Sequence, residues 1–441
     1  MSSREQAPAP KSVLRGHESQ VHVAAFVRHN QRLATGDAEG YVVLWDLTIQ
    51  RPRAVWRAHS SAILSIAGWG DNRIITHGRD HRLVVWKLTE DDEASLSVAL
   101  PLDKGAAHRP EPWLLHLLNV NTMNFCAFAS CPAGRGTDDE LLVAVPNTLA
   151  SESIDIYHLP SQTRQHTVHT TGQSQQKTGM AMALALLRRA SVLLLVVGYE
   201  NGVVVVAQQS YQGSWDVTYR SQLHTQPVLS LDVSPAQDYF LTSGADALII
   251  KHPIPGFIAS PGKDEVTLGP ELNGNVATEH QHSNDTPTAP RSGVSLLSSA
   301  LAGEARSPRP IPIAQREVVT TSLKVINTKH SGQQSLHIRS DGKIFATAGW
   351  DSKVRVYSCK TMAELAVLKW HEAGCYATAF ADLGGPQVGG PASQDQSALA
   401  SAQHLSSKDL SVKGRRIRQA KETHWLAAGS KDGKVSLWDI Y

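Results

Sequence analysis

The chain is poor in the residues that staple small domains or hold metals. Four cysteines, Cys126, Cys131, Cys359 and Cys375, are spread over 441 residues with no Cys-x-x-Cys pair. That argues against a disulfide framework or zinc module and for a reducing compartment. Charge of one sign is scarce too: the formal net charge is +2, so composition alone demands no nucleic-acid ligand. No apolar run is long enough to cross a bilayer, and the polar start MSSREQAPAP lacks the apolar core of a secretory signal. A soluble intracellular protein is expected. The common catalytic signatures are missing as well. The segment 172–178 carries Lys177-Thr178 but no second glycine before the lysine of a phosphate loop, and there is no His-Glu-x-x-His and no Gly-x-Ser-x-Gly. The expectation is a protein that is not an enzyme and holds no cofactor or metal.

With 41% hydrophobic residues, the chain can bury a large core, and the clearest local signal lies at its end. Leu426 to Tyr441 reads LAAGSKDGKVSLWDIY: an apolar strand, the tight turn Lys431-Asp432-Gly433, and an alternating strand closing on Trp438-Asp439. Asp-Gly supplies the positive φ that a two-residue hairpin turn needs. The pattern has copies. One runs from Leu14-Arg15-Gly16-His17 through Val21 to Val27 and Leu33 to Gly40, ending at Trp45-Asp46. A second runs from Ala58-His59 through the turn Arg79-Asp80-His81 to Trp86. The histidines are 42 residues apart and the tryptophans 41, and a period of about 40 residues is the sign of a propeller.

These landmarks resemble the WD40 repeat family, in which Gly-His opens a four-stranded blade and Trp-Asp closes it. The resemblance implies a buried chain of His, Ser or Thr, Asp and Trp in each blade: His17, Thr35, Glu39 and Trp45 in blade one, with glutamate for aspartate, and His59, Thr76, Asp80 and Trp86 in blade two. It implies His330, Thr347, Asp351 and Tyr357 in blade six, and His371, Asp432 and Trp438 in blade seven, where Ala428 stands in place of the hydroxyl. Such groups resemble a catalytic relay. Their recurrence in several blades marks them as structural, because buried polar atoms at a tight turn must each find a partner or cost about 1–3 kcal/mol.

The remaining repeats are weaker. Trp113 to Phe128, Leu141 to Val145 and Ile154 to Leu159 form an expected third blade closed by Tyr157. A fourth turns at Glu200-Asn201-Gly202, with Val and Leu runs that predict strands buried on both faces. Blade five uses His224, Asp246 and, in place of tryptophan, His252. Two polar stretches interrupt the pattern, both expected to be disordered insertions: 256–315, between blades five and six, and 383–423, polar and Gly/Ser/Ala-rich, within blade seven. The first holds Thr286-Pro287 and Ser307-Pro308, candidate sites for proline-directed phosphorylation. With both removed the period holds, and the expected fold is all-β: one seven-bladed WD40 propeller. Closure should place Ser12 to Leu14 beside Lys434 to Leu437.

Two surface features could bind partners. The basic run of Lys413, Arg415, Arg416, Arg418 and Lys421 has the charge density of a nuclear-localisation or nucleic-acid patch, or of a solvated loop. On the rim, the residue before the turn aspartate is Arg79, Trp350 or Lys431 in blades two, six and seven. In the WD40 family that position faces partners, and Trp and Arg are common interface anchors.

The order of motifs narrows the resemblance. Leu14-Arg15-Gly16-His17, Thr35-Gly36-Asp37-Ala38-Glu39-Gly40, Ile75-Thr76-His77-Gly78-Arg79-Asp80, Glu111-Pro112-Trp113 with Leu117 to Phe128, and Ala428 to Gly433 together resemble the fungal ASTRA-associated protein 1 family. The similarity spans nearly the whole chain apart from the two polar insertions. It implies a nuclear scaffold subunit of the ASTRA complex, tied to chromatin remodelling and to assembly of phosphatidylinositol-3-kinase-related kinases. The implied companions are a large pseudokinase, the RuvB-like ATPases and the TTT co-chaperone, with chromatin contact indirect. A second reading is a substrate receptor of a cullin ubiquitin ligase, although Thr48 and Tyr441 stand where that class often has arginine. A G-protein β subunit would need an N-terminal coiled-coil helix that the short tail cannot supply.

Overall fold

A computed structural model describes residues 9–103, 109–121, 125–134, 139–170, 178–189, 191–210, 212–256, 318–383 and 412–440. One compact unit comprises Met1–Pro255 with Val318–Tyr441. The stretch 257–317, which contains Thr286 and Ser307, lies outside the described residues.

The described unit is a seven-bladed β-propeller of four-stranded antiparallel sheets. Blade one is β2 (Val21–Val27), β3 (Arg32–Asp37), β4 (Tyr41–Asp46) and β5 (Arg51–Arg57). Blade two is β6 (Ile63–Trp69), β7 (Arg73–Gly78), β8 (Arg82–Lys87) and β9 (Trp113–Asn119), and blade three is β10 (Ala129–Pro132), β11 (Leu141–Pro146), β12 (Ile154–Leu159) and β13 (Thr163–Val168). Blade four is β14 (Ala181–Arg189), β15 (Val192–Tyr199), β16 (Val203–Gln209) and β17 (Trp215–Gln222). Blade five is β18 (Val228–Val233), β19 (Tyr239–Gly244), β20 (Leu248–Pro253) and β21 (Lys324–Asn327). Blade six is β22 (Gln333–Ile338), β23 (Ile344–Gly349), β24 (Val354–Ser358) and β25 (Glu364–Leu368). Blade seven combines β26 (Cys375–Phe380), β27 (Trp425–Ser430) and β28 (Lys434–Asp439) with the N-terminal β1 (Ser12–Arg15). Ser12 pairs with Leu437 and Leu14 with Val435, the closing seam expected from the sequence.

The core lies in the gaps between neighbouring sheets. Leu33 and Trp45 of blade one pack with Trp425, Val435 and Leu437 of blade seven. On the other side of blade one, Trp56 meets Trp86 of blade two edge to face at 6.4 Å between ring centroids. Strands gripped on both faces read as unbroken apolar runs. All eight residues of β15 are buried, as its composition predicts.

Two blade boundaries and one insertion differ from the sequence reading. The segment 113–119 is the outer strand of blade two, and blade three begins at Ala129. Likewise, 324–327 is the outer strand of blade five, so the first polar insertion falls inside that blade, between β20 and β21. In both cases the outer strand carries no landmark residue, and a long loop separates it from its neighbour. The end of the second insertion, expected to be irregular, forms helix α2 (Val412–Glu422). Ala420 of this helix is buried against Trp425, whose indole Nε1 donates to the Ala420 carbonyl at 3.0 Å. A short helix, α1 (Glu90–Glu93), opens on a Thr89–Asp92 capping box. Its Glu93 is fully buried beneath the guanidinium groups of Arg28, Arg32 and Arg53, which pins the polar loop after β8 onto blade one.

Candidate protein-interaction surface

In blades one, two, five and seven the loops at one end of the propeller are held by side-chain chains that start from the histidine opening the blade. In blade two, His59 lies 2.8 Å from both Asp80 and Thr76, and Trp86 Nε1 donates to the same threonine oxygen at 2.8 Å. Burial alone would raise the Asp80 carboxyl, but its bonds from His59 and the Ser60 backbone N–H outweigh that and hold it down at about 2.

Blade one reaches the same geometry with a different acid. His17 pairs with Asp37 at 2.7 Å and with Thr35 at 2.7 Å, and Trp45 donates to Thr35 at 2.9 Å. Glu39, expected in this role, is exposed and contributes only its backbone N–H, which donates to Asp37. The acid has moved two positions earlier, onto the end of β3. Alternation along β3 puts Asp37 on the same face as Thr35, the other partner of His17. Blade two shows why it fits: a Cβ at the equivalent Gly78 would stand 2.4 Å from His59 Nδ1 and 2.8 Å from the Asp80 carboxylate.

Blades five, six and seven vary the theme further. His224 contacts Asp246 at 3.0 Å and Thr242 at 2.8 Å, and the threonine then meets His252, whose other nitrogen lies 2.7 Å from the Tyr219 hydroxyl of blade four. Burial lowers His252 to about 3, with His224 adding to the effect. In blade six the expected set does not assemble. Thr347 donates to Gln333 at 2.7 Å, Asp351 is gripped by Arg355 at 2.6 and 3.1 Å, and His330 is half exposed, 3.6 Å from Asp351. The Tyr357 ring stacks on Phe345, and its hydroxyl has no partner among the described residues. In blade seven the missing hydroxyl is present after all. Ser436, paired across the strands with Ala428, lies 2.9 Å from His371 and accepts from Trp438 Nε1 at 2.8 Å. Asp432 stands 3.5 Å from His371.

On this rigid frame the rim residues take equivalent places. The backbone N–H groups of Arg79, Trp350 and Lys431 donate to the carbonyls of Ala62, Gly332 and Gly374, each just ahead of its blade's innermost strand. Trp350 lies against Gly332 and donates to Gln334 at 2.9 Å, with 47% of its surface still exposed. The Arg79 guanidinium stacks 4.3 Å above the Phe125 ring, and Lys431 projects into solvent.

The structure adds a ring that sequence reasoning missed. In six blades the innermost strand carries a β-bulge at its second residue: His22, Leu64, Met182, Leu229, Gln334 and Tyr376. A bulge re-aims the side chain it displaces. All six are half-buried and line the central cavity, of about 1050 Å³, together with Phe125 and Trp350. His22 and Tyr376 touch edge to face at 5.8 Å. Burial lowers the His22 imidazole below its ordinary range, opposed by Asp37 and aided by Arg79. A signal was available: in blades one, two, five and seven the bulged residue is the fifth after the opening histidine. The result is a mouth of mixed lining, in which Leu64, Met182, Leu229, Phe125, Trp350 and Tyr376 stand among His22 and Gln334, with Arg79 beside Phe125; exposed aromatic and arginine side chains of this kind are common interface anchors.

The basic run lies elsewhere. Arg415, Arg416 and Arg418 are exposed on α2, while Lys421 is half-buried near Gln31. The Lys413 side chain lies outside the described residues.

Fold and site together define a seven-bladed β-propeller with aromatic side chains at the mouth of its central cavity; among the described residues no helix is long and apolar enough to cross a membrane. Residues 10–438 match the family model described as ASTRA-associated protein 1. Curated proteins of that name are similar over almost their full length. The one from Pyricularia oryzae is 52% identical, covering 99% of this chain and 98% of the relative. That from Verticillium alfalfae is 53% identical over 99% and 94%, and that from Penicillium rubens 40% identical over 100% and 99%. The chain belongs to the ASTRA-associated protein 1 family.

Proposed function

We propose that this chain is a non-catalytic WD-repeat scaffold subunit of the ASTRA complex that works in the nucleus. The observation that carries the reading is the family match along residues 10–438. The cavity mouth gives it a physical basis, since a rigid ring with half-exposed Trp350, Phe125 and Tyr376 can anchor a partner without chemistry of its own. The partners in this reading are the large pseudokinase, the RuvB-like ATPases and the TTT co-chaperone proteins. Chromatin remodelling and assembly of phosphatidylinositol-3-kinase-related kinases follow through them, with chromatin contact indirect. Arg79, Trp350 and Lys431 are the rim contacts. Lys413, Arg415, Arg416, Arg418 and Lys421 direct nuclear import.

The test is affinity purification of the tagged chain beside a Trp350→Ala/Tyr376→Ala variant of unchanged melting temperature. The reading expects ASTRA subunits with the wild type and their loss with the variant. Recovery of cullin adaptors without the pseudokinase or TTT proteins would overturn it. Neutralising Lys413, Arg415, Arg416 and Arg418 should move a fluorescent fusion to the cytoplasm; unchanged nuclear accumulation would remove the import role.

A further inference from the structure

A short helix as polar as α2 has little apolar stripe to hold it on a protein, so its attachment needs other contacts. They are gathered at its C-terminal end. The Gln419 carbonyl accepts from the Thr423 backbone N–H at 3.0 Å and hydroxyl at 2.6 Å, the Ala420 carbonyl from Trp425 Nε1 at 3.0 Å, and the Lys421 carbonyl from Asn30 Nδ2 at 3.5 Å. These are carbonyls that a helix end leaves open. Ala420 is buried, and the Gln31 amide accepts from Lys421 Nζ and donates to Glu90, each at 2.9 Å. Blades one and seven together fix the helix in place.

Its other face carries unbalanced charge. Val412, Arg415, Arg416, Arg418, Gln419 and Glu422 are exposed, whereas Ile417 is half-buried and Ala420 buried. None of the three arginines forms an ion pair or a side-chain hydrogen bond among the described residues. Glu422, one turn beyond Arg418, is the single acid of this face and offsets one of the three cations. The acids around the helix are Glu90, drawn to Gln31, with exposed Asp91 after it; Asp439, paired with Lys11 at 2.6 Å; and Asp382, whose backbone is held by Asn30. Arginines therefore fill the middle of the face, and Glu422 and Glu90 border its C-terminal end.

The occupant follows from what the face lacks. A bilayer would need an apolar side turned outward, and α2 turns its own toward the propeller. A nucleic-acid strand draws on many phosphate contacts, and single strands add stacking on aromatic rings. Here three arginines end at an acid, and the helix has no aromatic residue. A second copy would bring the same arginines.

We propose that the exposed face of α2 docks a short acidic segment of a partner protein, whose carboxylates pair with Arg415, Arg416 and Arg418. The planar guanidinium fork matches a carboxylate bidentately, and a helix already fixed loses little freedom on binding. This docking does not rest on the import role of the same cations, and binding by the purified chain is read apart from localisation.

The test uses the full chain and short fluorescent peptides of glutamate or of glutamine, followed by anisotropy and amide hydrogen exchange. The glutamate peptide should bind about tenfold more tightly, should weaken as salt rises, and should slow exchange over 412–422. Arg415→Gln/Arg416→Gln/Arg418→Gln should weaken it about tenfold with melting unchanged, and Glu422→Gln should strengthen it about threefold. Lys329→Gln, at an exposed cation in the loop before blade six, is the control for net charge and should leave binding unchanged. Equal binding of the two peptides, an unmoved affinity in the arginine variant, or protection elsewhere would overturn the proposal. Tighter binding of a single-stranded oligonucleotide than of the glutamate peptide would overturn it in favour of nucleic acid.

Discussion

Gly433, in the last turn of the chain, lies so close to the carbonyl of His17 that a Cβ on it would stand 2.3 Å from the oxygen. The turn glycines Gly40 and Gly202 face the carbonyls of His59 and His224 in the same way. The turn of one blade is thus seated on the opening histidine of the next, and Gly433 carries that contact across the seam between the chain's two ends. Gly433→Ala should lower stability by about 1–3 kcal/mol, seen in thermal or urea unfolding. Gly70→Ala is the control: its φ is also positive, +60°, but nothing lies within 4 Å. Equal losses in the two variants would assign the effect to φ alone.

The hydroxyl of Ser436 serves both His371 and Trp438. Ser436→Val should leave two buried nitrogens without that partner and cost about 1–3 kcal/mol. In blades one and two the threonine sits on the preceding strand and valine opposite, as in Thr35 with Val43 and Thr76 with Val84. The double change Ala428→Thr/Ser436→Val should therefore recover most of the loss in a urea melt. Failure to recover would mean that blade seven cannot take the arrangement of its neighbours.

Asp37 and Glu39 separate cleanly by substitution. Asp37→Ala removes the partner of buried His17 and the acceptor for the Glu39 and Tyr41 backbone N–H groups, with an expected loss above about 2 kcal/mol. Glu39→Ala, on an exposed side chain, should stay within about 0.5 kcal/mol. The reverse order in denaturant midpoints would restore Glu39 to the buried chain.

Acid should act on the buried histidines. His77 and His252 are both held down at about 3, chiefly by burial, whereas an unfolded histidine titrates near 6.5. The unfolded state therefore binds more protons between those values. The stabilisation is complete above about pH 6.5 and is lost as pH falls toward 3. His252→Gln should flatten the fall of unfolding free energy over that window by about one proton. An unchanged slope would show that His252 does not titrate on unfolding.

The sequence by itself determined the repeat, the number of blades, the closing of the ring by Ser12–Leu14 beside Lys434–Leu437 and the rim positions, because these rest on local chemistry: alternation, turn glycines and a fixed period. It could not assign Trp113–Asn119 or Lys324–Asn327 to their blades, since an outer strand carries no landmark and finds its partner only through nonlocal pairing. It also misplaced the acid of blade one and missed the hydroxyl of blade seven. Asp37 and Ser436 lie off the repeat's spacing, and only the tertiary packing brings them within hydrogen-bond reach of His17 and His371. The ring of bulged residues at the channel mouth has the same origin, because which side chain a bulge displaces is decided by strand pairing in three dimensions.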